Sequence, residues 1–181
     1  MKSISTEIKK HFESKTIYFD LFSKVDSRIE GWFKAEMIFI LEDLIAKHKI
    51  LNYKREYYII KDDGKAHNID FQITLNNNKE ILIELKALVI SQAAQTPRNL
   101  NFYFGNNHVG LFKDFRKLDS VEFDGEKYVI GFIYPKPENA VWNKALTKII
   151  NDITGWHCIT KLTDYKSPYF ISIWKRDNAN H

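Results

Sequence analysis

A chain of 181 residues, 44% apolar and 28% charged, can bury one sizeable core, and its composition is that of a globular domain rather than a disordered chain. Its single cysteine, Cys158, excludes an internal disulfide framework and a cysteine-rich zinc site, while a formal net charge of +4 permits phosphate contact without requiring it. No run reaches the roughly 18 apolar residues of a membrane span, and Met1-Lys2-Ser3-Ile4-Ser5 lacks a signal-peptide apolar region, so a cytoplasmic protein with no membrane contact is expected.

No internal repeat and no Pro/Gly/Ser linker divides the chain. One domain over residues 1–181 is expected, with its core over 26–175 and a helical extension over 1–25. Within that extension Ile4, Ile8 and Phe12 recur at four-residue steps and predict a short helix. Residues 26–48 give the strongest helical signal, with Asp26 or Ser27 as cap and Ile29, Phe33, Met37, Ile40 and Leu44 on one stripe. Gly31 inside it lowers helix propensity by roughly 1 kcal/mol.

Three strand-like runs follow at 55–61, 68–75 and 80–88, separated by the turn sequences Asp62-Asp63-Gly64-Lys65 and Asn76-Asn77-Asn78. Residues 91–109 are rich in Gln and Asn and predict no regular element. A helix is expected over 108–119, carrying Val109, Leu111, Phe112, Phe115 and Leu118. A strand at 127–134 stops at Pro135, and a helix at 138–153 and a strand at 168–174 complete the chain. Trp142, Trp156 and Cys158 are expected in the core. The order predicts an α/β or α+β fold, a mixed central β-sheet flanked by helices.

The second and third strands carry the chemistry. In 68–75 the odd positions are apolar, so Asp70 shares the polar face with Asn68, Gln72 and Thr74. In the next strand Glu80, Leu82, Glu84 and Lys86 share one face. With Asn76-Asn77-Asn78 as the loop, Leu75 opposes Lys79, which sets Asp70 opposite Glu84 and Asn68 opposite Lys86. Opposed side chains have Cβ atoms roughly 5 Å apart, and a one-residue slip would set polar against apolar positions along both strands.

Two carboxylates so opposed repel unless a cation lies between them. Hard oxygen ligands suit Mg²⁺, which takes one or two carboxylates together with waters and phosphate oxygens. Lys86 points to the same face, where it could hold or deprotonate a water, or offset transition-state charge. A solvated strand face with an ordinary salt bridge is an equal alternative on this pair alone. Glu36 adds weight, because it falls within the apolar stripe of its helix and a buried carboxylate needs a partner or a metal.

A helix bearing Glu36, a strand bearing Ile69-Asp70 and a strand bearing Glu84-Leu85-Lys86 together resemble the PD-(D/E)XK nuclease superfamily, over residues 26–134. Ile69 stands where the family name has a proline. The resemblance implies the restriction-endonuclease-like fold. It implies that Asp70, Glu84 and the Leu85 carbonyl ligate Mg²⁺, with Mn²⁺ able to substitute, that Lys86 positions or activates water, and that Glu36 tunes the metal site or binds a second ion. The activity implied is phosphodiester hydrolysis by a metal-dependent endonuclease, DNA being the expected partner and a homodimeric type II restriction endonuclease one version. Two alternatives stay open: a non-catalytic nucleic-acid-binding or protein-interaction domain, and a repair or recombination nuclease for branched or single-stranded DNA.

Nucleic-acid contacts are expected from Gln92, where the family often carries Gln or a basic residue, from Arg98 in the polar loop, and from Lys113, Arg116 and Lys117. The last three are equally the wet face of a helix. No two histidines have ligand spacing, and His67 is expected at a strand end. Without a Gly-rich phosphate loop, an ATP-driven enzyme is not expected.

Overall fold

The computed structural model describes residues 1–25, 29–60, 66–90, 99–105 and 110–177. Three helices lead, α1 (Lys2–Glu13), α2 (Thr16–Val25) and α3 (Glu30–Ala46), followed by the strands β1 (Asn52–Ile60), β2 (Ala66–Thr74) and β3 (Glu80–Val89). The short α4 (Leu100–Tyr103) and α5 (Leu111–Asp119) lead to β4 (Glu126–Tyr134), then α6 (Asn139–Asp152), β5 (Trp156–Cys158), a 3₁₀ turn over Leu162–Asp164 and β6 (Phe170–Arg176). The strands form one six-stranded mixed sheet in the order β1-β2-β3-β4-β6-β5. Only β3 and β4 run parallel, and the crossover that parallel neighbours require carries α4 and α5. No helix among the described residues is long and apolar enough to cross a membrane.

Helices cover both faces of the sheet. On one face the Phe12 ring of α1 and the Phe33 ring of α3 pack on Phe132 of β4. On the other, Phe104, Phe115 of α5 and Trp142 of α6 surround Trp174 of β6, with centroids 6.1, 5.6 and 5.9 Å away. The central strand β4 is therefore buried without a break from Tyr128 to Tyr134, as expected for a strand covered on both sides. The same cover buries Gln72 on the face that alternation had marked as polar.

The N-terminal helices belong to the core and are not an extension outside it. Ile4, Ile8, Phe12 and Phe19 are fully buried, and Phe19 stacks on Tyr169 with centroids 4.1 Å apart. The expected single helix is two, α1 and α2. Helix α3 starts with Ile29 in the N-cap position and no side-chain cap; Asp26 and Ser27 lie outside the described residues, as does Val109 of the expected helix over 108–119. Trp156 is buried in β5, which sequence reading did not anticipate, and Cys158 is only half-buried. Asn99 caps α4 by accepting from the Phe102 N–H at 3.1 Å.

Candidate active site

Asp70 lies where the hydrogen-bond ladders on both sides of β2 are interrupted. Towards β1, Arg55 pairs with Phe71 and Tyr57 with Ile69, while Glu56, opposite Asp70, takes a left-handed conformation at φ 47° and drops out. A non-glycine residue held there carries a cost of about 1–2 kcal/mol. Towards β3 the register runs from Thr74↔Glu80 to Phe71↔Ile83 and stops. The loop closes as the sequence requires, with Leu75 N–H donating to the Lys79 carbonyl at 2.8 Å. Continued by one pair, that register would set Asp70 opposite Glu84; in place of a ladder bond there, the Asp70 carboxylate fills the gap, its Oδ2 accepting the Leu85 N–H at 2.8 Å.

Asp70, Glu84 and Lys86 are each met by an opposite charge from a flanking helix. Lys34 Nζ of α3 lies 2.6 Å from Asp70 Oδ1. Lys117 Nζ of α5 lies 2.5 Å from Glu84 Oε1, an oxygen shut off from water. Lys86 Nζ stands between Glu30 Oε2 of α3 at 3.5 Å and Asp114 Oδ2 of α5 at 3.6 Å. Asp114 Oδ2 is likewise buried and accepts no hydrogen bond.

Burial sets the electrostatics. Glu84 is 4% exposed, and desolvation, reinforced by the Asp70 charge, pushes its carboxyl up to about 8 against the pull of Lys117. Desolvation pushes Asp114 up to about 6, against Lys86 and Lys117. For Lys86 burial works to lower the pKa, and the charges of Asp114 and Glu30 outweigh it, holding the ammonium above its ordinary value. Lys34 follows the same pattern, its burial outweighed by the bond to Asp70. Lys86 is therefore a cation, fitted to offset negative charge and poorly fitted to take a proton.

Glu36 is buried, as its place in the stripe predicts. Its carboxylate meets His11 Nε2 at 2.6 Å and Lys15 Nζ at 3.1 Å, both from the first helices of the chain. It is not brought together with Asp70, Glu84 or Lys86. At about 100° per residue Glu36 lies roughly 200° around the helix from Lys34, whereas Glu30 and Lys34 share one side. The α3 carboxylate that reaches the group is Glu30.

On α5, Lys113 and Arg116 are exposed and Lys117 faces inward to Glu84. Gln92 and Arg98 lie outside the described residues. Sequence reading missed Glu30, Lys34 and Asp114. The Asp114 signal was legible: with Leu111, Phe115 and Leu118 it completes one buried helical stripe. Glu30 and Lys34 at i,i+4 look like any solvated pair until the sheet is in place.

Asp70, Glu84 and the Leu85 peptide are the groups that could hold a divalent ion. Among the described residues no three or more His, Cys, Asp or Glu side chains are grouped to hold one, so protein ligands alone do not enclose an ion here. Mg²⁺ takes one or two carboxylates beside several waters. The buried Glu84 Oε1, already faced by a cation, and the like-charged Asp70 beside it are the features that fit such an ion. No protein-family model matches the chain, and no curated protein or solved structure matches it either.

Proposed function

We propose that this chain is a Mg²⁺-dependent endonuclease with the restriction-endonuclease-like fold, hydrolysing phosphodiester bonds in DNA. One arrangement carries the reading: Asp70 and Glu84 are both buried, Asp70 accepts the Leu85 N–H and lies close enough for its charge to act on Glu84, and Lys86 follows Glu84 by two residues on the same strand. Neighbouring buried carboxylates, with a lysine on the same strand, suit phosphoryl chemistry, and two like charges so placed are costly without a cation to offset them. A divalent ion bound there would polarise a phosphoryl oxygen and make a bound water more acidic.

The side chains supply position and charge. The Leu85 N–H fixes the Asp70 carboxylate. Lys86, steadied between Glu30 and Asp114, presents a fixed positive charge to the anionic phosphoryl group as its charge builds. Exposed Lys113 and Arg116 lie on the outer side of the helix that carries Lys117, where they could follow a nucleic-acid backbone. A homodimer would bring two such sites to the two strands of a duplex, the arrangement that a symmetric restriction site requires.

Plasmid DNA incubated with the purified protein, with and without Mg²⁺ and alongside Lys86→Ala, tests the reading. Mg²⁺-dependent cleavage lost in the variant is the expected result. A second reading, a non-catalytic nucleic-acid-binding domain, draws on the pairing of both carboxylates with lysines, which leaves a charge cluster in no need of metal. Failure to cleave plasmid, RNA and branched DNA alike would put that reading first.

A further inference from the structure

Helices α3 and α5 present the same device from two sides. Each carries one acid and one lysine within a turn, Glu30 with Lys34 and Asp114 with Lys117. The acids face Lys86, and the lysines face Asp70 and Glu84. We propose that Lys34 and Lys117 are exchangeable stand-ins for the divalent cation, covering Asp70 and Glu84 while no metal is bound, and that metal loading turns their ammonium groups outward to bind a backbone phosphate of the substrate. The proposal rests on the metal-dependent reading and deepens it, by naming the residues that couple metal binding to phosphate binding.

Three observations carry it. Both lysines stand on the carboxylate oxygens that a metal would need, at 2.6 and 2.5 Å, so ammonium and metal exclude each other there. Exposure is lopsided: the Lys34 and Lys117 side chains are 30% and 22% exposed, while those of Asp70 and Glu84 are 8% and 5% exposed. A lysine stem is flexible and its ammonium strongly hydrated, so it can leave towards solvent while the carboxylate stays. Glu84 Oε1 is shut off from water and faces the Lys117 ammonium, so a cation already occupies the place that a metal ion would take.

Charge counting gives the exchange a direction. With every group ionised, the acids Glu30, Asp70, Glu84 and Asp114 outnumber Lys34, Lys86 and Lys117 by one. Metal ligands are deprotonated when bound, so in the loaded site the divalent ion and the three lysines leave one positive charge in excess of the four acids. That is the complement of a single phosphodiester. Released next to that site, Lys34 and Lys117 become phosphate contacts only when the metal is present, and the empty protein holds DNA weakly.

Titration of the full-length protein with Mn²⁺ alone, followed by calorimetry, tests the exchange in the wild type, K34M, K117M, the double variant and E84Q. Removing a competing ammonium is expected to tighten Mn²⁺ binding by roughly tenfold per lysine. Lys→Arg at the same positions should not tighten it. Anisotropy of a duplex with non-hydrolysable linkages provides the second readout: Mn²⁺ should strengthen wild-type DNA binding and strengthen it much less in the double variant. Should the double variant not fold, K117M alone carries the test. Unchanged or weaker Mn²⁺ binding in the methionine variants, with E84Q abolishing it, overturns the exchange and leaves the nuclease reading standing. No Mn²⁺ binding by the wild type overturns both.

Discussion

The Leu85 N–H donates to Asp70 Oδ2 at 2.8 Å, so a side chain takes up a backbone donor just past the last pair of the β2–β3 ladder. Asp70 therefore has a structural role beside the chemical one proposed for it. Asp70→Ala leaves a buried N–H without its acceptor and Lys34 without its partner, and should cost about 1–3 kcal/mol in a urea unfolding experiment. Asp70→Asn keeps a carbonyl acceptor and should lose less than half of that. Cleavage should vanish in both variants. An Asn variant with full activity would remove Asp70 from the chemistry.

Lys86 separates charge from shape. Replacing it with Ala should lower the cleavage rate by about 10²–10³ while leaving the far-ultraviolet circular dichroism unchanged, because Lys86 meets acids and is no part of the apolar core. Since Lys86 stays protonated between Asp114 and Glu30, Arg should recover part of the rate and Met should recover none. Equal rates for Arg and Met would show that its charge is irrelevant.

Metal-free stability should fall as pH rises. In the folded chain Glu84 is raised from 4.5 to about 8 and Asp114 from 3.8 to about 6. A raised folded pKa gives stability that is complete below the unfolded value and lost as pH climbs through the folded one. Asp114 therefore acts between about 4 and 6, and Glu84 between about 4.5 and 8. Urea midpoints measured from pH 5 to 8.5 should decline, E84Q should flatten the upper part of that decline, and D114N the lower. A wild-type profile as flat as that of E84Q would mean that Glu84 is ionised throughout.

The legible part of this fold is the part governed by short-range pattern. Alternation in 68–75 and the Asn76-Asn77-Asn78 loop placed Asp70 opposite Glu84 because a register shift would expose Ile69, Phe71 and Ile73 together. Helical spacing marked Ile4, Ile8 and Phe12 as buried, yet could not tell that Phe12 packs against Phe33 and Phe132, far along the chain. Gln72 looked solvated because alternation reports two faces and says nothing of the helices laid over them. The cations of the site were hidden for a related reason. Whether Lys34 or Lys113 turns to the sheet depends on how α3 and α5 sit on it, which no local spacing encodes.

Glu36 and Glu30 bring that limit to an experiment. The buried stripe singled out Glu36, and its carboxylate is indeed enclosed, but by His11 and Lys15 rather than by the candidate active site. Charge-assisted hydrogen bonds of this kind contribute about 1.5–3 kcal/mol, and the Lys15 and His11 side chains are 24% and 26% exposed, so the lower end applies. Glu36→Gln should therefore weaken the docking of α1 on α3, seen as a lower urea midpoint, while leaving Mn²⁺ affinity unchanged. Glu30→Gln should do the reverse. Glu30 is more exposed, at 39%, so stability should move little. Lys86 would lose one of its two flanking acids, and the cleavage rate should drop by roughly tenfold. If instead Glu36→Gln abolishes metal binding at unchanged stability, Glu36 belongs to the metal site and the arrangement around α3 differs in the metal-loaded protein.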